Sequence, residues 1–462
     1  MAQSPKPDVV VIGGGITGLA AAYEVARGGL QPLVLEAALR AGGLIFTDHA
    51  GGFTIEAGAD SVLTAKPAAL ELAREIGLDS EVQTVRPPGG AFVLRGRTLF
   101  PLPRPSLLGI PQSWRALAGY SLLSPAARAR LAIEPLIPAR RDLEDESIGS
   151  FFRRRFGRAA VDLIAQPLLG GIHAGDIDTL SMQSLFPRLL DIERTHGRVF
   201  GAPAGLPAGT SPGASVFASL RGGMGTLVHA LERRLEPGAI RYASPVRHIQ
   251  RSNGGWRAGA DEARALILAI PASAAASLLA PIDAEAAALC ARVPYVSTAS
   301  VALAWPRTAI AHSLAGTGFV VARRHSDVRI TACTWVSSKW EDRAPEGTVL
   351  LRAFIGGAHD PDIVSLSDEA LVAAVRADLD GVLGITGAPI LTRVYRWPHA
   401  GAQHTVGHLS RVDAIERRLA GHGGLFVAGS GFRAVGIPDC IADARRVAAE
   451  AVEYSRGIRG SR

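Results

Sequence analysis

Six residues near the start of the chain, Gly13-Gly14-Gly15-Ile16-Thr17-Gly18, satisfy G-x-G-x-x-G. They stand between a short apolar run, Val9–Ile12, and a helical stretch, Ile16–Arg27. A second apolar run, Leu33–Leu35, ends at Glu36, 18 residues past Gly18. Strand, glycine turn, helix, strand and acid are the context a dinucleotide fingerprint requires. Gly13 permits the tight turn, Gly15 lets backbone approach a pyrophosphate, and Gly18 allows helix and strand to pack closely. The helix N-terminus adds unpaired N–H groups and partial positive charge. Glu36 is placed to accept hydrogen bonds from a ribose diol, each worth ~1.5–3 kcal/mol. It also repels a 2′-phosphate, which disfavours NADP. The fingerprint alone does not separate NAD from FAD.

Arg40-Ala41-Gly42-Gly43, then Gly52-Phe53 and Glu56-Ala57-Gly58-Ala59-Asp60-Ser61, extend the pattern beyond Glu36. The whole resembles the extended FAD signature of amine-oxidase-like flavoproteins. That resemblance implies that the second glycine pair approaches pyrophosphate and flavin and that Arg40 offers a fork to phosphate. Near the other end, Gly429-Ser430-Gly431-Phe432-Arg433-Ala434-Val435-Gly436-Ile437-Pro438-Asp439-Cys440-Ile441 leads from an apolar run into a helix, with Pro438 near its first position. Its N-terminus, aimed at the pyrimidine end of a flavin, would stabilise the negative charge that reduction brings. Asp60 and Asp439 are candidate bases but read more simply as a loop cap and a helix-start cap.

Further motifs widen the resemblance to essentially the whole chain. They are Glu134-Pro135-Leu136-Ile137-Pro138-Ala139-Arg140-Arg141, Asp145-Glu146-Ser147, Phe152-Arg153-Arg154-Arg155-Phe156-Gly157 and Gln166-Pro167-Leu168-Leu169-Gly170-Gly171-Ile172-His173-Ala174-Gly175-Asp176. Phe186-Pro187-Arg188, Gly222-Gly223-Met224 and Arg396-Trp397-Pro398 follow. The sequence resembles the FAD-dependent porphyrinogen oxidases of haem biosynthesis, the proto- and coproporphyrinogen oxidases. Gly436–Ile441 is most similar to the bacterial soluble branch. The resemblance implies one non-covalent FAD per chain, held by Gly13, Gly14, Gly15, Ile16, Thr17, Gly18, Glu36, Ala37, Arg40, Gly42, Gly43, Gly58, Ala59, Asp60, Ser61, Val246, Trp397, Val435, Ile437, Pro438 and Asp439. It places Gly170, Ile172 and His173 on the substrate face. It implies a tetrapyrrole substrate bearing propionates, oxidised by six electrons in three flavin cycles, with oxygen as acceptor and hydrogen peroxide as product. No catalytic side chain is indispensable, because aromatisation drives the reaction and flavin N5 carries it. His173 departs from the tyrosine of most relatives, and Ala91 stands near a substrate-facing arginine of the mammalian members.

Composition limits the alternatives. Of 462 residues, 48% are hydrophobic and 20% charged, with 52 glycines and a net charge of +7. Disordered, collagenous and coiled-coil classes are excluded. Basic residues are dispersed among acids with 6% aromatics, which argues against nucleic acid. Cys290, Cys333 and Cys440 fit neither a disulfide framework nor a metal site, and His404 and His408 lack a carboxylate ligand pattern. The short lead before Val9 leaves no room for a secretory signal, and the uncharged stretch Ala265–Ile282 reads as strand plus helix rather than a membrane span. A cytoplasmic enzyme is expected, with peripheral membrane contact and a homo-oligomer left open. An amine or amino-acid oxidase remains a second reading, weakened because such enzymes often place a lysine near flavin N5 or tether flavin through cysteine. Here lysine occurs only at positions 6, 66 and 339, and Gly429–Arg433 holds no cysteine. A non-catalytic flavin- or porphyrin-binding protein is a third.

The elements that must position these residues give a mixed α/β fold. A discontinuous Rossmann-like FAD domain (1–90, 205–285 and 420–462) is joined by a helical region (95–200) and an antiparallel-sheet substrate domain (286–419). Phe100–Pro111 reads as a loop or lid with an apolar rim, Arg140–Glu146 as an exposed turn, and Gly201–Gly213 as a poorly ordered linker.

Overall fold

A computed structural model describes residues 6–142, 144–202 and 215–457. Most of the expected linker Gly201–Gly213 lies outside the described residues.

Four-residue runs of β-branched and leucine side chains with no polar face can only be buried on both sides, and such strands build a parallel sheet. Its order is Ile240–Arg241, Pro32–Leu35, Val9–Ile12, Ala265–Leu268, Leu425–Val427, with Val9 level with Pro32 and Ala265. Helices Ile16–Arg27 and Ile437–Ser455, near opposite ends of the sequence, pack together on one face. Ala272–Leu279, Ala284–Ala291 and His408–Ala420 cover the other. The stretch Ala265–Ile282 is thus a buried strand and a short helix, and among the described residues no helix is long and apolar enough to cross a membrane.

A seven-stranded sheet runs in the order Leu391–Ala402, Tyr295–Pro306, Thr348–Gly356, Ala332–Trp335, Gly318–Val321, Ala91–Arg95, Thr98–Pro101. It is antiparallel except where Gly318–Val321 pairs with Ala91–Arg95. Leu371, Val375, Leu379 and Leu383 form the apolar stripe by which helix Asp368–Leu383 packs on it, over Trp305 and Trp335.

The third layer is helical: Pro125–Ala132, Ile148–Phe156 and Pro187–His196, with a π-helix over Val161–Gly170. Ser124, Ser147 and Ser181 cap helix starts by accepting a backbone N–H three residues on. Phe151, Phe152 and Phe156 fill the core. Fully buried Glu134 holds it together, accepting from Arg155 Nε at 2.7 Å and from the Val199 and Phe200 N–H groups at 3.0 and 3.1 Å.

Two local expectations are corrected. Phe100–Pro111 is not a lid: Thr98–Pro101 is an edge strand, and Ser106–Leu107 pairs with Ile110–Pro111. Proline is tolerated there because an edge strand needs no inward N–H. Its apolar side chains face inward; Ile110 is buried, and Phe100, Leu102 and Leu107 pack on the helical core. Arg140–Glu146 is not simply exposed either. Glu146 is buried because Arg154 pairs with it at 2.7 Å.

Removing one partner of a buried ion pair leaves an uncompensated charge, at a cost of ~3–5 kcal/mol. Arg155→Met is expected to destabilise the helical region by about that amount, measured as a lower denaturant midpoint. An unchanged midpoint refutes this role for Glu134.

Candidate functional site

The central strand Val9–Ile12 ends at Gly13, whose φ of +103° suits only glycine; a Cβ there would lie 2.5 Å from the Ala269 carbonyl oxygen. A Cβ on Gly18 would lie 1.9 Å from the Gly13 carbonyl, so the helix starts directly above the turn. At Gly15 a Cβ would meet no atom within 4 Å. That side of the turn faces open space. Here Ile16 and Thr17 begin the helix, both buried.

Glu36 binds this turn. Its carboxylate accepts the Gly14 N–H at 2.6 Å and the Ala38 N–H at 2.7 Å, one on each oxygen, leaving lone pairs for a ribose. Ala37 between them is exposed. Ala243 N–H and Ser244 N–H donate to the Ala38 and Glu36 carbonyls, which brings the Val246 segment beside Glu36.

Gly42 N–H donates to the Gly14 carbonyl at 2.8 Å, and a Cβ on Gly43 would be 3.2 Å from Gly15 Cα. The two glycine turns are thereby clasped. Arg40 departs from the expected phosphate fork. Its guanidinium donates to the carbonyls of Ala41, Gly43 and Ile45 at 2.9–3.2 Å and lies over Phe46, so it shapes the second turn.

Gly58–Ser61 continue from the strand Phe53–Glu56. The Ala57 carbonyl accepts from Trp397 Nε1 at 2.9 Å and Ser300 Oγ at 2.8 Å. Trp397 is thus half-buried against the loop rather than in the core. Asp60 takes Lys339 Nζ at 3.0 Å and Ser61 Oγ at 2.7 Å. Burial opposes its ionisation, but the Lys339 ammonium, aided by Arg352, wins and holds its carboxyl far below the usual range.

At the C-terminal end, the loop before Ile437 hangs from two histidines. His404 Nε2 donates to the Ser430 carbonyl at 2.9 Å and His408 Nε2 to that of Phe432 at 2.7 Å, the rings stacked 3.8 Å apart. His404 Nδ1 accepts from Ser184 Oγ, tying the loop to the helical region. Ile437 and Pro438 are buried at the helix start, Val435 packs toward the helical core, and Asp439 accepts the Gly436 N–H and pairs with Lys66 Nζ at 2.6 Å. Cys440 is buried, its thiol pushed up to about 12 by burial, and does not present a reactive thiolate.

On the substrate side, the π-helix ends at Gly170, where a Cβ would meet Gln166 Nε2 at 2.6 Å. Ile172 is exposed, and the His173 ring lies 5.8 Å from Phe186, its carbonyl taken by Gln403. Burial, then His404 and Lys66, lower the His173 imidazole to about 4, so it is neutral at pH 7. Among the described residues no group of His, Cys, Asp and Glu is gathered for a metal.

The sequence reading gave no role to Arg343 or Arg352, weighed His404 and His408 only as metal ligands, and took Lys66 and Lys339 only as part of a lysine count. It counted scarce lysine against a flavin-side lysine, yet two of the three lysines sit on Asp60 and Asp439. The residues present fit a flavin dinucleotide. The open face at Gly15, at the start of a helix, suits a pyrophosphate.

A Rossmann-like sheet with clasped glycine turns, beside a large mixed sheet, defines a dinucleotide-binding oxidoreductase architecture. The chain belongs to the flavin containing amine oxidoreductase family, whose model matches residues 16–452. It is 36% identical to the coproporphyrinogen III oxidase of Bacillus subtilis, covering 97% of this chain and 98% of that one. It is 28% identical to the chloroplastic protoporphyrinogen oxidase of Nicotiana tabacum, covering 97% and 86%. A solved protein of Exiguobacterium sp. 255-15, provisionally assigned as a protoporphyrinogen oxidase, is 33% identical with a TM-score of 0.86, covering 97% and 99%. Wild-type putrescine oxidase shares the fold at 18% identity and a TM-score of 0.70, covering 97% and 99%.

Glu36→Ala removes charge-assisted bonds of ~1.5–3 kcal/mol each, so cofactor affinity should fall at least about tenfold. The thermal midpoint of the cofactor-free protein should move little. Equal cofactor retention by parent and variant refutes the assignment. A pH effect follows from the histidines. Burial, then His404, lowers His408 to about 3, and burial also lowers His404. With His173 they bind fewer protons folded than unfolded, so the stability is present above the ordinary ~6.5 and is lost as pH falls toward 4. Thermal midpoints at pH 7.5, 6 and 5 should fall in that order, and His408→Asn should flatten the slope.

Proposed function

We propose that this chain is an FAD-dependent oxidase that converts a porphyrinogen to the porphyrin in haem biosynthesis, with one non-covalent FAD per chain. The observation that carries it is the clasp of Gly13–Gly18 with Arg40–Gly43 over Glu36, in a chain whose nearly full length is shared with porphyrinogen oxidases. The amine-oxidase reading has support from the fold alone.

When bound, the flavin accepts two electrons per cycle, with three cycles per ring and oxygen as the final acceptor. The protein's part is to bind, orient and keep water out. The Ala57 carbonyl, fixed by Trp397 and Ser300, sets the height of Gly58–Ser61. The neutral His173 ring offers a hydrogen-bond partner to a pyrrole without adding charge. Gly170, Ile172 and His173 form the substrate face, carried on the end of a π-helix, a geometry that recurs at functional sites.

Coproporphyrinogen III is the favoured substrate. Relatives named for it share more of this sequence than the chloroplast enzymes do, and its four propionates suit a chain of net charge +7 whose cations are almost all arginine. Each propionate paired with a partly buried arginine adds ~1.5–3 kcal/mol, which discriminates against a ring with two. The exposed Trp114, Ile133 and Leu136 of the helical region, rather than Phe100–Ile110, offer the apolar surface for peripheral membrane contact.

Anaerobic mixing with coproporphyrinogen III should bleach the flavin absorbance, and salt should raise KM more for this substrate than for protoporphyrinogen IX. Bleaching by neither porphyrinogen defeats the functional assignment. A higher kcat/KM for protoporphyrinogen IX with equal salt sensitivity defeats only the substrate choice. Flotation with liposomes at low salt should carry part of the protein upward if the membrane contact is real, and none of it otherwise.

A further inference from the structure

Behind Gly58–Ser61 lies a set of buried ions that cofactor binding alone does not require. Lys339 Nζ, 3.0 Å from Asp60 Oδ2 and 3.4 Å from Ser61 Oγ, also faces the rings of Phe217 and Trp340 at 5.2 and 4.8 Å. Arg343 Nη1 is 3.5 Å from Glu56 Oε1, while its Nη2 donates to Ser219 Oγ at 3.0 Å and the Leu220 carbonyl at 2.8 Å. Ser219 Oγ in turn donates to the Asp60 carbonyl, linking the two halves. Arg352 Nη1 donates to the Glu56 carbonyl at 2.6 Å. Glu56 also accepts from the Met224 N–H and Thr47 Oγ1.

Three buried cations therefore meet two buried carboxylates; Asp342 also acts on Arg343, but from the surface, where it pairs with Arg221. Arg343, Arg352 and Glu56 are 1%, 3% and 3% exposed, and Arg343 Nε, Arg343 Nη1 and Arg352 Nε have no hydrogen-bond partner. Buried positive charge left uncompensated by protein is unfavourable unless an anion arrives nearby. A flavin that takes two electrons and one proton acquires one negative charge.

We propose that Lys339, Arg343 and Arg352, set against Asp60 and Glu56, hold an excess positive charge that raises the electron affinity of the flavin held by Gly58–Ser61. The inference rests on the cofactor reading above. The five side chains act through the loop as positioning and electrostatic residues. Reduction is favoured because the developing charge meets fixed cations in a water-poor setting, which need no reorganisation.

The test uses the full-length, FAD-loaded protein and sulfite. Sulfite adds through its sulfur lone pair to flavin N5, forming one S–N bond and leaving one negative charge on the ring with no other reactant. Lys339→Met should weaken sulfite binding by at least about tenfold and Asp60→Asn should tighten it, while the double variant should return to within about threefold of the parent. The two-electron potential should follow the same order, lowest in Lys339→Met. A purely structural tie predicts that both single variants shift the same way, and that result overturns the proposal. If Lys339→Met loses its flavin, Asp60→Asn and Glu56→Gln decide alone: each deletes a negative charge and must tighten sulfite binding, and unchanged or weaker binding overturns the proposal. A parent protein that takes up no FAD is seen in its absorbance before sulfite is added, and it refutes the cofactor reading itself.

Discussion

The bond from Gly42 N–H to the Gly14 carbonyl closes the turn after the central strand against the turn after its neighbour. Neither turn could hold that geometry alone. Each contains glycines at positive φ, a conformation other residues rarely adopt, and the first turn leads into helix Ile16–Arg27, whose first N–H groups have no partner within the helix. The buried parallel sheet supplies the rigidity. Val9–Ile12 is paired on both sides in register, so the ends of Val9–Ile12 and Pro32–Leu35 emerge level with one another. Glu36 then ties across, its carboxylate holding Gly14 on one side and Ala38 on the other. Other parts of the site are placed relative to this clasp. The Val246 segment is aligned by bonds to Glu36 and Ala38, and the C-terminal helix packs against the helix that begins at Ile16.

Charge is managed differently at the two ends of the site. Glu134 and Arg155 have a partner on every polar side-chain atom, inside the helical core. Around Asp60 and Glu56 the pairing is incomplete, and the unpartnered guanidinium N–H groups lie beside the loop assigned to the flavin. The helical region is coupled to this end through Ser184, His404 and Ser430.

The fold and the glycine half of the site were legible because local rules write them. Apolar runs of four, glycines at fixed offsets and an acid closing a strand are consequences of backbone geometry, which the sequence displays directly. Arg40 was legible as a residue but not in its role, because nothing in the spacing shows that its own turn offers three carbonyls within reach. Phe100–Pro111 misled because proline was weighed without knowing that the strand lies at a sheet edge. The charge cluster was hidden for a plainer reason. Glu56, Asp60, Lys339, Arg343 and Arg352 come from three separate stretches, and only the docking of the mixed sheet on the glycine loop brings them together.

The scarcity of lysine was weighed only against an amine oxidase, an argument that does not ask where each lysine ends. In a chain whose basic residues are nearly all arginine, Lys339 and Lys66 end on Asp60 and Asp439, while Lys6 pairs with Glu262 on the surface. A guanidinium is planar and directs five donors outward in a rigid fork, whereas an ammonium is a compact charge that can point at one carboxylate from a narrow slot. Lys339 occupies such a slot, walled by Phe217 and Trp340 and ending on Asp60 and Ser61. Lys66 ends in the same way on Asp439, the acid in the first turn of the C-terminal helix. There an unpaired carboxylate would offset the helix's own positive end, and the lysine cancels it. The two lysines thus each neutralise a carboxylate on a segment that the sequence motifs assign to the cofactor.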